Sequence, residues 1–325
     1  MKSLIVGVGA LGGVIGARLL QRGVPVALAT RDSHAAQALR QSGLHVSGVG
    51  GEIHPTVEHV RALHEWRQAS FDLVVLATKA DDALAAAPLC SSLVKPGGAL
   101  LPIQNGAVSE VLGARLGEVV LGGLSNLGAT MVQPGVYEQR NAGHILLGEL
   151  AGGRSDRADR VVEFLSQGIE ARATGNLSGA IWSKLLLNCS VTTIGAIAGV
   201  TMREYIARAD GRALFDSTYD EALTVALTSG VRPERMLVDP VPPHDRDAWL
   251  GAILAAYGDL RPSMLQDFER RRPTEIEFIN GYVAERGRAL GVATKFNARI
   301  TSVVRTISRG DRAPALENLG QILHG

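Results

Sequence analysis

The stretch SKLLLNCSVTTIG, residues 183–195, carries a lysine and an amide one helical turn apart in an otherwise apolar segment. On a helix, residues four apart share a face, so Lys184, Asn188 and Thr192 would form a polar stripe. Burying an uncompensated lysine is costly, which leaves two explanations. Either the lysine extends to solvent and the amide is satisfied locally, or the stripe faces a cleft between two domains. In a cleft, partial burial would lower the lysine pKa towards the value that a general acid needs. Spacing alone favours neither.

The N-terminal segment GVGALG has the GxGxxG spacing of a dinucleotide-binding turn. It follows a predicted strand and opens a predicted helix, which is the context in which this spacing has a mechanism. The first glycine makes the tight turn, the second admits a pyrophosphate, and the third lets the helix pack closely on the strand. The motif therefore predicts cofactor contacts from Gly7, Val8, Gly9, Ala10, Leu11 and Gly12.

The residues that follow the second predicted strand favour NADP(H) as the cofactor. Arg31 stands at the end of VALAT, and a guanidinium suits a ribose 2′-phosphate. No carboxylate precedes it to repel that phosphate. Asp32 leaves an alternative open, because a carboxylate at this place can instead accept from the 2′-hydroxyl of NAD.

Polar residues also end two central strands. Lys79 follows LVVLAT, and Asn105 follows ALLPIQ. Ligands of open α/β sheets gather at the carboxyl ends of the strands, so both residues are predicted to face the nicotinamide half of the cofactor. A solvated loop lysine and a simple QNG turn are the structural alternatives.

A second polar cluster lies in PSMLQDFERRRPTEIEFINGYV, residues 262–283. Thr274 and Glu275 follow Pro273 and are predicted to open a helix. Without other information, a helix start with an acid in its first turn explains them better than catalysis does.

The elements that must position these residues change character midway along the chain. Apolar runs alternate with helical patterns in the first half, and this alternation predicts a doubly wound parallel sheet of Rossmann type. The predicted strands are residues 3–8, 24–30, 71–79, 98–105 and 118–126. Residues 127–150 have turn glycines and period-two patches, so they are predicted to form a hairpin-like addition at the sheet edge.

The second half is predicted to be an all-α domain. Its predicted helices are residues 177–198, 201–229, 245–257, 274–290 and 295–308. We therefore expect an NADP-binding domain over residues 1–175 and a helical domain over residues 176–325, to which the family resemblance given below assigns substrate binding and catalysis.

Composition excludes several classes of protein. The 325 residues carry 33 basic and 32 acidic side chains, a balance that argues against nucleic-acid binding. No apolar run reaches the length of a membrane span. The N-terminus is predicted to form a buried strand rather than a signal peptide. Cys90 and Cys189 are expected to be buried thiols of a cytoplasmic protein. The histidines, including His54, His59 and His64, lack ligand spacing, so no metal is expected.

Several motifs occur in the order and spacing of one family. GVGALGG, TKA (78–80), QNG (104–106), WSKLLLN (182–188), SMLQD (263–267) and TEIEFINGYV (274–283) together resemble the ketopantoate reductase (2-dehydropantoate 2-reductase) family. The resemblance extends over nearly the whole chain. It implies a Rossmann domain, a helical C-terminal domain and the NADPH-dependent reduction of ketopantoate to pantoate.

The resemblance also implies roles for single residues. It makes Lys184 the general acid and Glu275 an active-site carboxylate near the substrate hydroxyl and the nicotinamide ribose. Asn188 and Ser263 would bind the substrate. Lys79 and Asn105 would contact cofactor and substrate, and Arg31 the 2′-phosphate.

Departures from the family leave the substrate open. Thr192 stands where many members have a second asparagine, so the substrate pocket is expected to differ. A bulkier 2-oxo acid, as in dehydrogenases of the D-mandelate type, is one alternative. A catalytically silent nucleotide sensor is another, although the presence of Lys184 and Glu275 argues against it. The oligomeric state is left open between a monomer and a homodimer.

Overall fold

The computed structural model describes residues 1–67, 70–242 and 245–325. The chain divides into two compact units, Met1–Leu177 and Ser178–Gly325. The strands are β1 (Ser3–Val6), β2 (Ala27–Thr30), β3 (His45–Gly48), β4 (Val60–Ala62), β5 (Phe71–Leu76), β6 (Val94–Pro102), β7 (Gly122–Ser125), β8 (Ala129–Gln133), β9 (Val136–Gln139), β10 (Ile145–Gly148) and β11 (Ala171–Ala173).

The first unit is built on a five-stranded parallel sheet in the order β4-β2-β1-β5-β6. Its helices are α1 (Ala10–Gln21), α2 (Ser33–Ser42), α3 (Ala80–Ser92), α4 (Val108–Leu116) and α5 (Asp156–Leu165). The strands β1 and β5 are buried almost throughout, because helices cover both faces of a parallel sheet. The predicted Rossmann-type sheet is confirmed.

Two predictions about the later strands are wrong in detail. The strand expected over residues 118–126 contains β7, which pairs with β10 in a three-stranded sheet; within the described residues, the segment joins the parallel sheet only by one parallel bridge, between Val120 and Leu100 of β6. The hairpin expected at the sheet edge is β8–β9, but it pairs with β3 in a third sheet. Apolar alternation predicts that a segment is a strand, whereas its partner is chosen by tertiary packing.

The second unit is helical, as predicted. Its helices are α6 (Leu177–Leu187), α7 (Thr193–Ala198), α8 (Met202–Ile206), α9 (Ala209–Thr228), α10 (Arg246–Tyr257), α11 (Ser263–Glu269), α12 (Asn280–Leu290), α13 (Lys295–Ser308) and α14 (Glu317–His324). Large aromatic side chains fill its core, among them Trp182, Tyr205, Phe215 and Tyr219, each at most 1% exposed.

Three predicted helices differ from the observed ones. The run over residues 177–198 is interrupted by a π-helical segment at Asn188–Thr192. The run over residues 201–229 is two helices, α8 and α9. The helix expected from residue 274 begins at Asn280, after a 3₁₀ turn at Ile276–Phe278.

One segment corrects an expectation about apolar length. Among the described residues, Leu177–Ala198 is long and apolar enough to cross a membrane, with a mean hydropathy of 1.3 in its most apolar window. However, 78% of that window is buried inside the protein. Burial of this kind is typical of a core helix.

Candidate active site

The glycine turn between β1 and α1 needs glycine for steric reasons at two positions. Gly7 has a φ of +94°, and a Cβ there would lie 2.5 Å from Thr78 Cγ2. A Cβ on Gly12 would lie 2.0 Å from the Gly7 carbonyl oxygen. The strand end, the turn and the helix therefore approach one another as closely as the motif predicts.

Gly9 differs from its neighbours because its Cβ position is open. No described heavy atom beyond its chain neighbours and its own helix lies within 4 Å of that position. Gly9 is also the N-cap residue of α1, where backbone N–H groups remain unpaired within the helix. A side chain would fill this space, whereas a phosphate could accept from those N–H groups. The turn therefore suits the pyrophosphate of a dinucleotide.

Tyr137 of β9 supports this turn and was missed in the sequence. Its hydroxyl donates to the Val8 carbonyl oxygen at 2.8 Å, and its ring leaves no room for a Cβ on Gly13. Tyr137 is fully buried. The only sequence signal was the hairpin itself, because the partner lies almost 130 residues away in the chain.

Asp32 has a structural task at the start of α2. Its carboxylate accepts from the Ala35 N–H at 2.8 Å, and this bond is the main reason that the pKa of Asp32 lies below its usual value. Arg31 is a loose partner of Asp32, with 3.6 Å between Nε and the carboxylate and a side chain that is 94% exposed. A capping carboxylate is less available to a ribose hydroxyl, while the guanidinium is accessible to an anion.

Gln104 ties the ends of two central strands together. Its side-chain amide nitrogen donates to the Leu76 and Thr78 carbonyl oxygens, each at 2.9 Å. Because Gln104 comes from the segment after β6, these bonds hold Asn105 beside the loop that carries Lys79. In the sequence, Gln104 is recognisable only as part of the QNG turn.

Lys184 lies in the last turn of α6 and is partly buried. Burial is the dominant effect on its ammonium and lowers the pKa of Lys184 from 10.5 to about 8. The carboxylate of Glu275 acts in the opposite direction and raises the pKa. The structure therefore brings these two predicted site residues within electrostatic range of each other.

The packing of α12 beside α6 explains why Glu275 comes close. Trp182 of α6 and Tyr282 of α12 lie with ring centroids 5.9 Å apart. Glu275 precedes the 3₁₀ turn that leads into α12. It therefore does not lie in the first turn of an α-helix, where the sequence predicts it.

The π-helical segment reshapes the predicted polar stripe. The Thr192 hydroxyl donates to the Asn188 carbonyl oxygen at 3.1 Å, and the Thr193 N–H donates to the same oxygen. The Thr192 hydroxyl hydrogen is thus used within the helix. π-Helical turns occur frequently at functional sites, because one extra residue changes the direction of the following side chains.

A buried amide network holds the π-helical segment. Asn280 donates to the Cys189 carbonyl oxygen at 3.2 Å and to the side-chain oxygen of Asn297 at 2.9 Å. Asn297 in turn donates to Glu221 at 2.9 Å, and Glu221 accepts from the Phe296 N–H at the start of α13. Both asparagines are fully buried. Cys189 and Cys90 are buried free thiols, as predicted.

Ser263 is exposed at the first position of α11. The preceding Pro262 lies against α7, where a Cβ on Gly195 would be 3.0 Å from the proline ring. The structure thus fixes the start of α11 on the helix that follows the π-helical segment, but records no bond between Ser263 and Lys184.

Known proteins resemble this chain over nearly its whole length. The family model described as ketopantoate reductase PanE/ApbA matches residues 3–152, and its C-terminal counterpart matches residues 176–308. A 2-dehydropantoate 2-reductase of Pyrococcus abyssi is 28% identical over 306 residues, covering 94% of this chain and 97% of that protein.

Solved structures share the fold. The crystal structure of 2-dehydropantoate 2-reductase from Geobacter metallireducens has a TM-score of 0.80 and 28% identity, covering 94% of this chain and 99% of that one. D-Mandelate dehydrogenase in complex with NADH and anilino(oxo)acetate has a TM-score of 0.81 at 24% identity, covering 95% and 99%. The two family matches together include the glycine turn and the lysine-bearing helix. The chain therefore belongs to the ketopantoate reductase family of oxidoreductases.

Proposed function

We propose that this chain catalyses the NADPH-dependent reduction of 2-dehydropantoate to pantoate, with Lys184 as the general acid. The observation that carries the proposal is the placement of the partly buried Lys184 near the Glu275 carboxylate in a chain of the ketopantoate reductase family; this burial lowers the pKa of Lys184 to about 8. A group with this pKa is largely protonated at neutral pH and can still release its proton.

The chemistry assigned to Lys184 follows from its charge. Bound NADPH would supply a hydride to the keto carbon of the substrate. As negative charge grows on the substrate oxygen, the ammonium of Lys184 stabilises that charge and then protonates the oxygen. Partial burial strengthens this interaction because little water competes for the charge. A positioned acid contributes roughly 10²- to 10⁴-fold to the rate.

Substrate orientation is assigned to further polar residues of the predicted site. The Asn188 amide offers a donor and an acceptor, and Ser263 offers a hydroxyl for the substrate carboxylate region. Glu275 has two tasks in this proposal: it accepts from the substrate hydroxyl, and its charge keeps Lys184 protonated at higher pH. Asn105 and Lys79 would contact the nicotinamide side of the cofactor and the substrate.

The preference for NADPH is assigned to Arg31. Its exposed guanidinium is available to a 2′-phosphate, while Asp32 is engaged in capping α2. In this proposal the unit Met1–Leu177 binds the dinucleotide through the glycine turn. The unit Ser178–Gly325 supplies the acid and most substrate contacts.

A steady-state panel of 2-oxo acids with NADPH and with NADH tests the proposal. We expect turnover of 2-dehydropantoate with NADPH preferred, and we expect Lys184→Ala to bind NADPH normally while losing most of kcat. Binding is followed by cofactor fluorescence. Unchanged kcat in Lys184→Ala would remove the lysine from the chemistry, and oxidation of neither cofactor with any oxo acid would support a nucleotide sensor.

Thr192 favours a second candidate function. Its hydroxyl donates back to the Asn188 carbonyl oxygen, so it replaces the second family asparagine with a shorter side chain whose hydrogen is already used. A roomier and less polar pocket would suit a bulkier branched or aromatic 2-oxo acid. Preferential turnover of such an acid over 2-dehydropantoate in the same panel would establish this alternative.

A further inference from the structure

Two histidines and a glutamate, none of them among the residues assigned above, converge on the surface of the first unit. The Nε2 atoms of His45 and His54 lie 2.9 and 3.2 Å from the same oxygen, Oε1 of Glu52. All three donor atoms lie within 4.8 Å of one another. The spacing of His54, His59 and His64 in the sequence does not reveal this cluster, because its second histidine is His45.

The backbone explains this convergence. Val46 and Ile53 form an antiparallel bridge with reciprocal N–H to carbonyl bonds of 3.0 and 2.9 Å. His45 and His54 therefore stand directly opposite each other, and their rings lie 3.9 Å apart. Glu52 is two residues from His54, so its side chain leaves the same face of this two-stranded segment.

The same segment is braced at both ends. Beyond the histidines, the Leu44 N–H donates to the Pro55 carbonyl oxygen at 3.0 Å. At the turn, the Arg18 guanidinium donates to the carbonyl oxygens of residues 49, 50 and 51 at 2.8, 2.7 and 3.0 Å. The backbone that carries the three donors is thus held by bonds outside the cluster, which reduces the ordering needed to bind a ligand.

We propose that His45, Glu52 and His54 form a binding site for one divalent transition metal ion of the zinc type. Two donors bound to a tetrahedral zinc ion lie roughly 3.3 Å apart, close to the observed separations. Two imidazoles with one carboxylate suit Zn²⁺, Ni²⁺ or Cu²⁺ and are poor ligands for Mg²⁺, which prefers oxygen. The side chains are partly exposed, at 34%, 64% and 60% for His45, Glu52 and His54, so water can complete the coordination.

The charge state of the cluster suits a cation. The Glu52 carboxylate places a negative charge beside the two imidazoles. A bound ion would take the place of the two hydrogen bonds that now join the imidazoles to Oε1 of this carboxylate. Each imidazole would then carry its proton on Nδ1.

The test is a titration of the full chain, free of any affinity tag, with ZnCl₂ in a non-coordinating buffer. Calorimetry should give one site, reversed by a chelator. His54→Ala and His45→Ala should each weaken binding at least roughly 10- to 100-fold, the loss seen even for outer-sphere partners of a metal. His59→Ala, a surface histidine outside the cluster, is the matched control and should leave the titration unchanged.

Cobalt gives a second measurement that reports the ligands directly. Co²⁺ should develop a visible absorption band in the wild type and in His59→Ala, but not in His54→Ala. The proposal is wrong if ZnCl₂ gives no saturable site, or if His54→Ala titrates like the wild type. Neither the calorimetry nor the cobalt spectrum depends on reductase activity. A failure of the metal site can therefore be distinguished from a failure of the proposed function.

Discussion

Replacing Lys184 with methionine should abolish most activity and also stabilise the helical unit at neutral pH. Methionine matches the length of the lysine stem without its charge. The pKa of Lys184 falls from 10.5 to about 8 on folding. At about 1.4 kcal/mol for each pKa unit, the folded state carries a cost of about 3 kcal/mol for keeping this ammonium charged.

The sign follows from proton binding. Between pH 8 and 10.5 the unfolded chain holds a proton that the folded chain has released, so the free energy of unfolding of the wild type rises with pH in this window. Below pH 8, Lys184 is protonated in both the folded and the unfolded state, and the full free-energy cost of the buried charge lowers the stability of the wild type. The methionine variant has no such group. Its advantage of up to about 3 kcal/mol at pH 7 should therefore disappear by about pH 10.5.

The assay is urea unfolding at both pH values, followed by tryptophan fluorescence. Two of the three tryptophans, Trp182 and Trp249, lie in the helical unit, so a Trp66→Phe background makes the signal specific to it. Lys295→Met, at an exposed lysine, is the matched control and should show no pH-dependent gain. Parallel stability curves for the wild type and Lys184→Met would refute the reasoning, because they would mean that Lys184 titrates alike in both states.

Three further outcomes are expected. In pH–rate profiles, kcat for reduction should fall above about pH 8 as Lys184 loses its proton. Glu275→Gln should move this fall to lower pH, because the Glu275 carboxylate raises the pKa of Lys184. An unchanged profile in Glu275→Gln would mean that another group causes the fall. Gly9→Ala should weaken NADPH binding at unchanged stability, because the added Cβ enters open space. Gly12→Ala should also lower the melting temperature, because its Cβ would meet the backbone. Equal melting temperatures for the two variants would contradict the turn geometry. Asn280→Ala should lower the free energy of unfolding by about 1–3 kcal/mol, because it leaves buried partners unpaired. It should also lower kcat more than it raises KM. A change in stability alone would show that Asn280 has only a structural role.

Local sequence determined much of the fold because its signals act over a few residues. The buried strand before GVGALG, the helix after it and the glycine spacing are all short-range requirements, and each is present in the structure. The same holds for the change from alternating to purely helical patterns. The family resemblance likewise came from the order of motifs in the sequence, and the family matches confirm the family.

Tertiary structure decided what depends on distant partners. Spacing left Lys184 equally suited to solvent or to catalysis, and only the packing around α6 shows that burial lowers its pKa and that Glu275 opposes the shift. The π-helical segment has no local signal either, because it is held by Asn280, which lies 91 residues from Cys189. Tyr137 reaches Val8 across 129 residues, and His45 meets His54 only because two backbone segments pair. Desolvation, buried hydrogen bonds and strand pairing are properties of the assembled chain, so no short window of sequence contains them.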